Sequence, residues 1–364
     1  MQKKAKALLL QAREHYSIYN IEAGHACIDR AIALDPANEA YLLLERAKVR
    51  YELVYDAKGA IDDLTRIIEQ SQVLTEIAEA RRWRSAAFRY ERQYDKAFED
   101  INWVIERTPT AADYVHRAET WDRIRIRSLN RNEESASKFE AMMADYGRAI
   151  ELDPTNCEYR SIRAEQYLYR DQFEEAINDL SVIIRWSDDK DEITGCRLSR
   201  ARCFQGLGRT EEWLTDLNWI IEHGTPTELV FAWRGRYRID QKDFEGALAD
   251  YNAAIALEPD ISTSYYFRAW VNFELGSYQL AIDELTTLIP NEEHLSSLFS
   301  CYNLRGKAYL QLGEEQKALD DFNTIMRLND LPPYERTSDY DEMDWIKEMC
   351  KKDAEEQGRS SASE

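Results

Sequence analysis

The 364 residues are 44% hydrophobic and 32% charged, with 13 glycines, 8 prolines and a formal net charge of −21. So few glycines and prolines argue against a sheet-rich fold with many tight turns and favour long helices. The acid excess repels phosphate backbones, which argues against general nucleic-acid binding, and no stretch approaches the ~20 apolar residues that span a bilayer.

At the N-terminus, MQKKAKALLLQAREHY carries a short apolar run from Ala7 to Leu10, followed at once by Gln11, Arg13 and Glu14. That run is too short for a signal-peptide core. The cysteines Cys27, Cys157, Cys196, Cys203, Cys301 and Cys350 never fall at CxxC spacing, so no zinc knuckle or redox motif is written here. Scattered thiols fit a reducing compartment, and the expected location is cytoplasmic.

From the second unit onward two phrases alternate. The first is an arginine followed by a small residue: Arg46–Ala47, Arg84–Ser85, Arg117–Ala118, Arg163–Ala164, Arg200–Ala201, Arg234–Gly235, Arg268–Ala269 and Arg305–Gly306. The second has the form Ala-x-x-acid-apolar, as in AIDDLTRII at Ala60, AFEDINWVI at Ala97 and AINDLSVII at Ala176. It returns as ALADYNAAI at Ala247, AIDELTTLI at Ala281 and ALDDFNTIM at Ala318. WLTDLNWII at Trp213 is a variant, and GHACIDRAI near Gly24 and MADYGRAI near Asp145 are looser copies. The acid falls at Asp63, Asp100, Asp145, Asp179, Asp216, Asp250, Glu284 and Asp321, in steps of 34 or 37 residues and once 45. Within each phrase apolar residues recur at i, i+3, i+4 and i+7, the helical period. Each unit therefore reads as helix, turn, helix. The prolines Pro36, Pro109, Pro154, Pro226, Pro259, Pro290, Pro332 and Pro333 all follow second helices, which spares helix interiors a penalty of about 3 kcal/mol each.

The first unit is atypical, with Gln11 in place of the arginine and Cys27 in place of the acid. The fourth carries roughly twelve extra residues, which lets its helices lengthen toward Asn130–Glu134 and clusters Arg123, Arg125, Arg127 and Arg131 as a second candidate surface. After the ninth unit, residues 331–357 read as a capping helix with Met343, Trp345, Ile346 and Met349 on its apolar side, and 358–364 as a disordered tail.

The sequence resembles the tetratricopeptide repeat family. The resemblance rests on Phe231, Gly235, Ala247, Tyr251, Ala254 and Pro259 in the seventh unit, and on Tyr302, Gly306, Tyr309, Ala318 and Phe322 in the ninth. The fifth adds Ala164, Tyr167, Ala176 and Leu180. It implies an all-α fold, a right-handed superhelical solenoid of antiparallel helix hairpins over residues 1–330, in about nine units with an extended fourth near 111–154. It also implies a non-catalytic scaffold or adaptor, without metal or cofactor, that holds a protein or peptide in a groove lined by the first helices.

Counting from each repeated arginine, the expected groove residues are Arg82, Arg89 and Tyr90, then Arg202, Trp233 and Arg236, then Tyr266, Trp270, Phe273 and Lys307. Arginine beside aromatics is the composition of a binding hot spot; the plainer reading is that aromatics such as Trp233 and Phe267 pack between helices. One branch of the family clamps a chaperone's C-terminal carboxylate with Lys, Asn and Arg. Leu9, Arg13, Leu44, Lys48, Arg82 and Ala86 at the matching positions do not reproduce that set. The repeated arginine and acid are expected to form an ion pair inside each hairpin rather than between neighbours, with Arg234–Asp250 and Arg305–Asp321 in contact.

No catalytic pattern surrounds His15, His25, His116, His223 or His294, and Gly206 and Gly208 mark a turn rather than a phosphate loop. Two alternatives stand beside the groove scaffold. One is an RNA-binding helical repeat, which would need a basic stripe. The other is a regulatory subunit docking through the fourth unit.

Overall fold

The structure, a computed structural model, describes residues 2–127 and 133–329; side chains at 125–127, 133–135 and 329 also lie outside the described set. The expected capping helix at 331–357, the tail at 358–364 and Arg131 lie outside the described residues, as do the side chains of Arg125 and Arg127.

Among the described residues the chain is all-α, with helices and no strand. The helices pair in sequence: α1 (Lys3–Ser17) with α2 (Ile21–Leu34), α3 (Glu39–Glu52) with α4 (Ala57–Gln70), α5 (Leu74–Tyr90) with α6 (Tyr94–Arg107). Then come α7 (Ala111–Arg127) with α8 (Glu133–Leu152), α9 (Cys157–Tyr169) with α10 (Phe173–Trp186), and α11 (Lys190–Gly206) with α12 (Thr210–His223). The last are α13 (Glu228–Asp240) with α14 (Phe244–Leu257), α15 (Ser262–Glu274) with α16 (Tyr278–Leu288), and α17 (Leu295–Gln311) with α18 (Glu315–Asn329). The fold class is an α–α superhelical repeat. The chain divides into two compact units, Met1–Ile183 and Ile184–Glu364.

Most hairpins close the same way. The second residue beyond the first helix (the third at Tyr55) enters the left-handed region, at Tyr19, Tyr55, Arg92, Asp171 and Lys242 and at Gly208, Gly276 and Gly313. A left-handed residue there reverses the chain while backbone N–H groups bond back into the last turn, as Gln93 N–H does to the Phe88 carbonyl at 2.8 Å. Side-chain caps then start several second helices: Asp56 accepts from Gly59 N–H at 2.9 Å, and Asp243 from Gly246 N–H at 3.1 Å.

The small residue after each arginine sets how closely the paired helices approach. Ala47, Ala118, Ala164, Ala201 and Ala269 are fully buried there. In the seventh and ninth hairpins the opposing second helix brings an aromatic, Tyr251 or Phe322, and the small residue shrinks to glycine. A Cβ on Gly235 would lie 3.0 Å from the Tyr251 ring, and one on Gly306 2.6 Å from the Phe322 ring. Ring size and glycine are thus one packing choice written at two positions.

Candidate functional site

The repeated ion pair is the frame on which any site is built. Arg84 donates from Nε and Nη2 to the two oxygens of Asp100 at 2.7 and 2.8 Å. Arg46–Asp63, Arg117–Asp145, Arg163–Asp179, Arg200–Asp216, Arg234–Asp250 and Arg305–Asp321 repeat that two-point geometry. The acids are buried, Asp216 completely. The pairing inside each hairpin is as expected.

The structure adds a second contact. The remaining nitrogen, Nη1, reaches back to a polar residue two positions beyond the acid of the preceding hairpin. Arg84 donates to Thr65, Arg117 to Asn102, Arg234 to Asn218, Arg268 to Asn252 and Arg305 to Thr286, at 2.7–3.1 Å. Arg46 does the same to Asp29. Pairing within hairpins rather than between neighbours is therefore half the picture, because a guanidinium has a third donor when two are occupied. The polar residue at that offset was visible in the sequence. At Arg163 it is Gly147, which has no side chain to accept.

Five acids take a second arginine. Arg50 and Arg238, four residues after the repeated arginine, reach Asp63 and Asp250 at 2.9 and 2.8 Å, and each also donates to the carbonyl of Gly59 or Gly246. Arg81 and Arg197, three residues before it, reach Asp100 and Asp216 at 2.6 Å, and Arg160 lies 3.7 Å from Asp179.

Against this frame the expected groove residues separate. In the first unit, Arg82 of α5 grips Asp113 at the start of α7 through Nε and Nη2 at 2.7 and 3.1 Å. Arg89 donates to Glu119 at 2.5 Å and to the His116 carbonyl. Both are held by the next hairpin. Tyr90 is exposed and meets Tyr51 edge to face. Nε2 of the neighbouring His116 is buried with no partner. Burial, reinforced by Arg89, pushes the His116 imidazole down to about 3, so it is neutral at ordinary pH. Arg123 is exposed on α7.

In the second unit the positions are more open. Arg202 on α11 is exposed and makes no hydrogen bond or ion pair among the described residues. Arg236 on α13 has 58% of its side chain exposed; it lies 5.2 Å over the Phe267 ring and 3.8 Å from Asp240. A pocket of about 230 Å³ opens beside it, walled by Gln205, Thr210, Trp213, Trp233, Arg236 and Tyr237. A second, of about 210 Å³, is walled by Ser262, Tyr266, Phe267, Ser296, Ser300 and Cys301. The Arg236–Phe267 contact joins the two, so Trp233, Arg236 and Tyr266 belong to one strip. Trp270 and Phe273 are half-buried. Trp270 packs against two core clusters and edge-on to Phe244, and Phe273 against the core and Tyr278. Lys307 is half-buried on α17. Trp213 and Tyr237 were not among the expected binding residues, because a helical period cannot say whether an aromatic lies between helices or at their rim.

Tetratricopeptide repeat profiles match residues 234–291 and 299–330; the same helix pair runs through the other hairpins, and the arginine–acid register through all of them but the first. The chain is a tetratricopeptide repeat protein. Its repeats are those of a protein-interaction scaffold. Among known proteins it is 27% identical over 100 residues to a repeat-containing protein of Methanocaldococcus jannaschii, covering 28% of this chain and 17% of that one. It is 23% identical over 189 residues to the mitochondrial import receptor subunit TOM70 of Homo sapiens, covering 50% of this chain and 31% of that one. The chain thus spans less than a third of the length of either relative. Among solved structures, a tetratricopeptide repeat protein from Parabacteroides merdae aligns with a TM-score of 0.43 at 13% identity, covering 74% of this chain and 99% of that one. The repeat domain of P58(IPK) aligns at 0.30 and 16%, covering 96% and 99%. No helix among the described residues is long and apolar enough to cross a membrane, and no three of their His, Cys, Asp or Glu side chains form a metal-binding group.

Proposed function

We propose that this repeat protein is a non-catalytic scaffold that binds an extended peptide segment of a partner protein along α11, α13 and α15. The observation that carries the reading is the strip of Trp233, Arg236 and Phe267, with a pocket on each side and Arg202 exposed on the neighbouring first helix. Two small pockets take apolar side chains, and the exposed guanidinium between them takes a carboxylate. The bound segment is therefore apolar with an acidic residue in its middle. A peptide is favoured over RNA because the chain carries a net charge of −21 and two exposed arginines make no continuous basic stripe. No cofactor enters this reading, and the cytoplasm is its expected setting.

The test is a pull-down from native extract read by mass spectrometry, comparing the native chain with Arg202→Glu/Arg236→Glu/Trp233→Ala. Trp233 is chosen over Trp270 because Trp270 packs against the core. Circular dichroism checks that the variant folds. Loss of specific proteins with the variant is the expected outcome; retention of the same set removes the strip from consideration.

A further inference from the structure

One cleft in the second unit lies off the first-helix strip. It holds about 1030 Å³ and opens between α14 and α16 with α15 at its floor, so it lies on the face carried by second helices. One of its lining residues departs from the repeat. Four residues after the repeated arginine, other hairpins place either an arginine or an aromatic. Arg50 and Arg238 reach the buried acid from that position, and Phe88, Tyr167, Phe204 and Tyr309 lie under the repeated guanidinium at 5.5–6.0 Å. The eighth hairpin has Asn272 there. The shorter side chain lines the cleft beside Arg268 and Glu284.

Two polar groups in that space lack the partners their counterparts have. Asn272 is only 8% exposed and lines the cleft, and its side-chain amide makes no hydrogen bond among the described residues. The amide opens onto the cleft, where an entering group can pair with it. Glu284 replaces the usual aspartate. Arg268 donates to it through Nε and Nη2, but both bonds end on Oε1, at 2.9 and 2.5 Å, and Oε2 takes none. Burial pushes the Glu284 carboxyl up against the pull of Arg268. Around the mouth stand Asp260, Asp283, Glu292 and Glu293, with Arg268 the lone arginine of the wall.

We infer that this cleft is a docking socket for an arginine side chain of a partner polypeptide, which supplies the second guanidinium that the eighth hairpin lacks. The hairpin before it provides the template. Arg238 donates to Asp250 and to the carbonyl of Gly246, four residues before the acid. The incoming guanidinium takes the same place: it donates to Glu284 Oε2, faces the carbonyl of Leu280 four residues before, and receives the Asn272 side-chain carbonyl at its edge. The planar fork of an arginine satisfies a carboxylate and a carbonyl together, which a lysine ammonium does less well. The acidic mouth accounts for a basic segment on either side of the anchoring residue. The socket does not rest on the first-helix strip, and either site stands without the other.

The probe is a fluorescein-labelled peptide with two arginines flanked by glycine and serine, titrated into the full chain at about 0.15 M salt, where distant charges are screened. Asn272→Tyr sets a ring under the repeated guanidinium as the fifth and ninth hairpins do, taking the place offered to the incoming arginine without changing net charge. Its affinity for the probe is expected to fall about tenfold or more, and the lysine twin of the peptide to bind the native chain several-fold more weakly. Hydrogen–deuterium exchange on the native chain is independent of any variant, and with the peptide it is expected to slow in α15 and α16. Equal binding by Asn272→Tyr and native protein overturns the proposal. So does equal binding of the lysine twin, or protection that avoids residues 260–294. Protection there that rises with protein concentration in the absence of peptide assigns the cleft to a second copy of the chain and overturns it as well.

Discussion

The first helices of the third and seventh hairpins have the same register, yet they present different surfaces. On α5, Arg82 and Arg89 are bonded to Asp113 and Glu119 of the following hairpin. On α13, Arg236 lies over Phe267 with most of its side chain in solvent. The arginines stand at different offsets from the repeated one, two before and five after it on α5 and two after it on α13, and the next hairpin meets each set differently. Where α7 offers a buried aspartate and a glutamate, the arginines become part of the stack. Where α15 offers a phenylalanine face, the guanidinium stays available. An arginine on a repeat's first helix is therefore a binding residue only when the neighbour leaves it uncompensated.

Cutting the ion-pair ladder tests whether the two regions share one frame. Asp100→Ala in the first unit and Asp216→Ala in the second each strand two arginines beside a buried site. Each is expected to cost about 3–5 kcal/mol in chemical denaturation. A loss confined to one unit would show that the ladder is structural in only half the chain.

A smaller effect separates the units by pH. His116 is neutral in the folded first unit, held to about 3, while the unfolded imidazole titrates near 6.5. The folded value is the lower one, so its contribution is complete above pH 6.5 and is lost as the pH falls toward 3. Between pH 7 and 5 the first unit is expected to lose about 2 kcal/mol. Burial lowers His25 in the same unit in the same direction. His116→Phe should flatten the dependence, as read from urea midpoints at several pH values; an unchanged slope would assign the effect to other groups.

The smallest expected effect is a gain. Gly147 sits in the interior of α8 where other hairpins present the acceptor for Nη1, and a Cβ there would meet Arg163 Nη1 at 3.5 Å, an ordinary contact. Gly147→Asn is expected to restore the missing tie and remove a helix glycine, raising stability by about 1 kcal/mol. Asn102→Ala, which deletes the tie to Arg117, should lower it by a similar amount. If both variants leave the thermal midpoint unmoved, the cross-hairpin contact is geometric only.

Much of this was legible beforehand. The helix pairs, the eight arginine–acid positions and the small residue beside each arginine follow from a period near 34 and the helical spacing of apolar groups. The polar residue two beyond each acid was equally visible, but its role was not, since a one-dimensional count cannot say which of three guanidinium nitrogens remains free. Nor could the sequence separate Trp270, which packs, from Trp233, which walls a pocket, since both stand at apolar helix positions. Asn272 carries no signal of its own in the sequence, because its setting depends on the cleft it lines.

The sequence by itself determined what repeats: local periodicity, turn chemistry and charge pairing are set by residues within one hairpin, at fixed offsets. Only the tertiary structure decided which arginines and aromatics are free. That outcome depends on what the adjoining hairpin presents across a contact some 30 residues away in the chain (27 to 31 for Arg82 and Arg89), where one carboxylate, ring or missing side chain makes a residue either frame or surface.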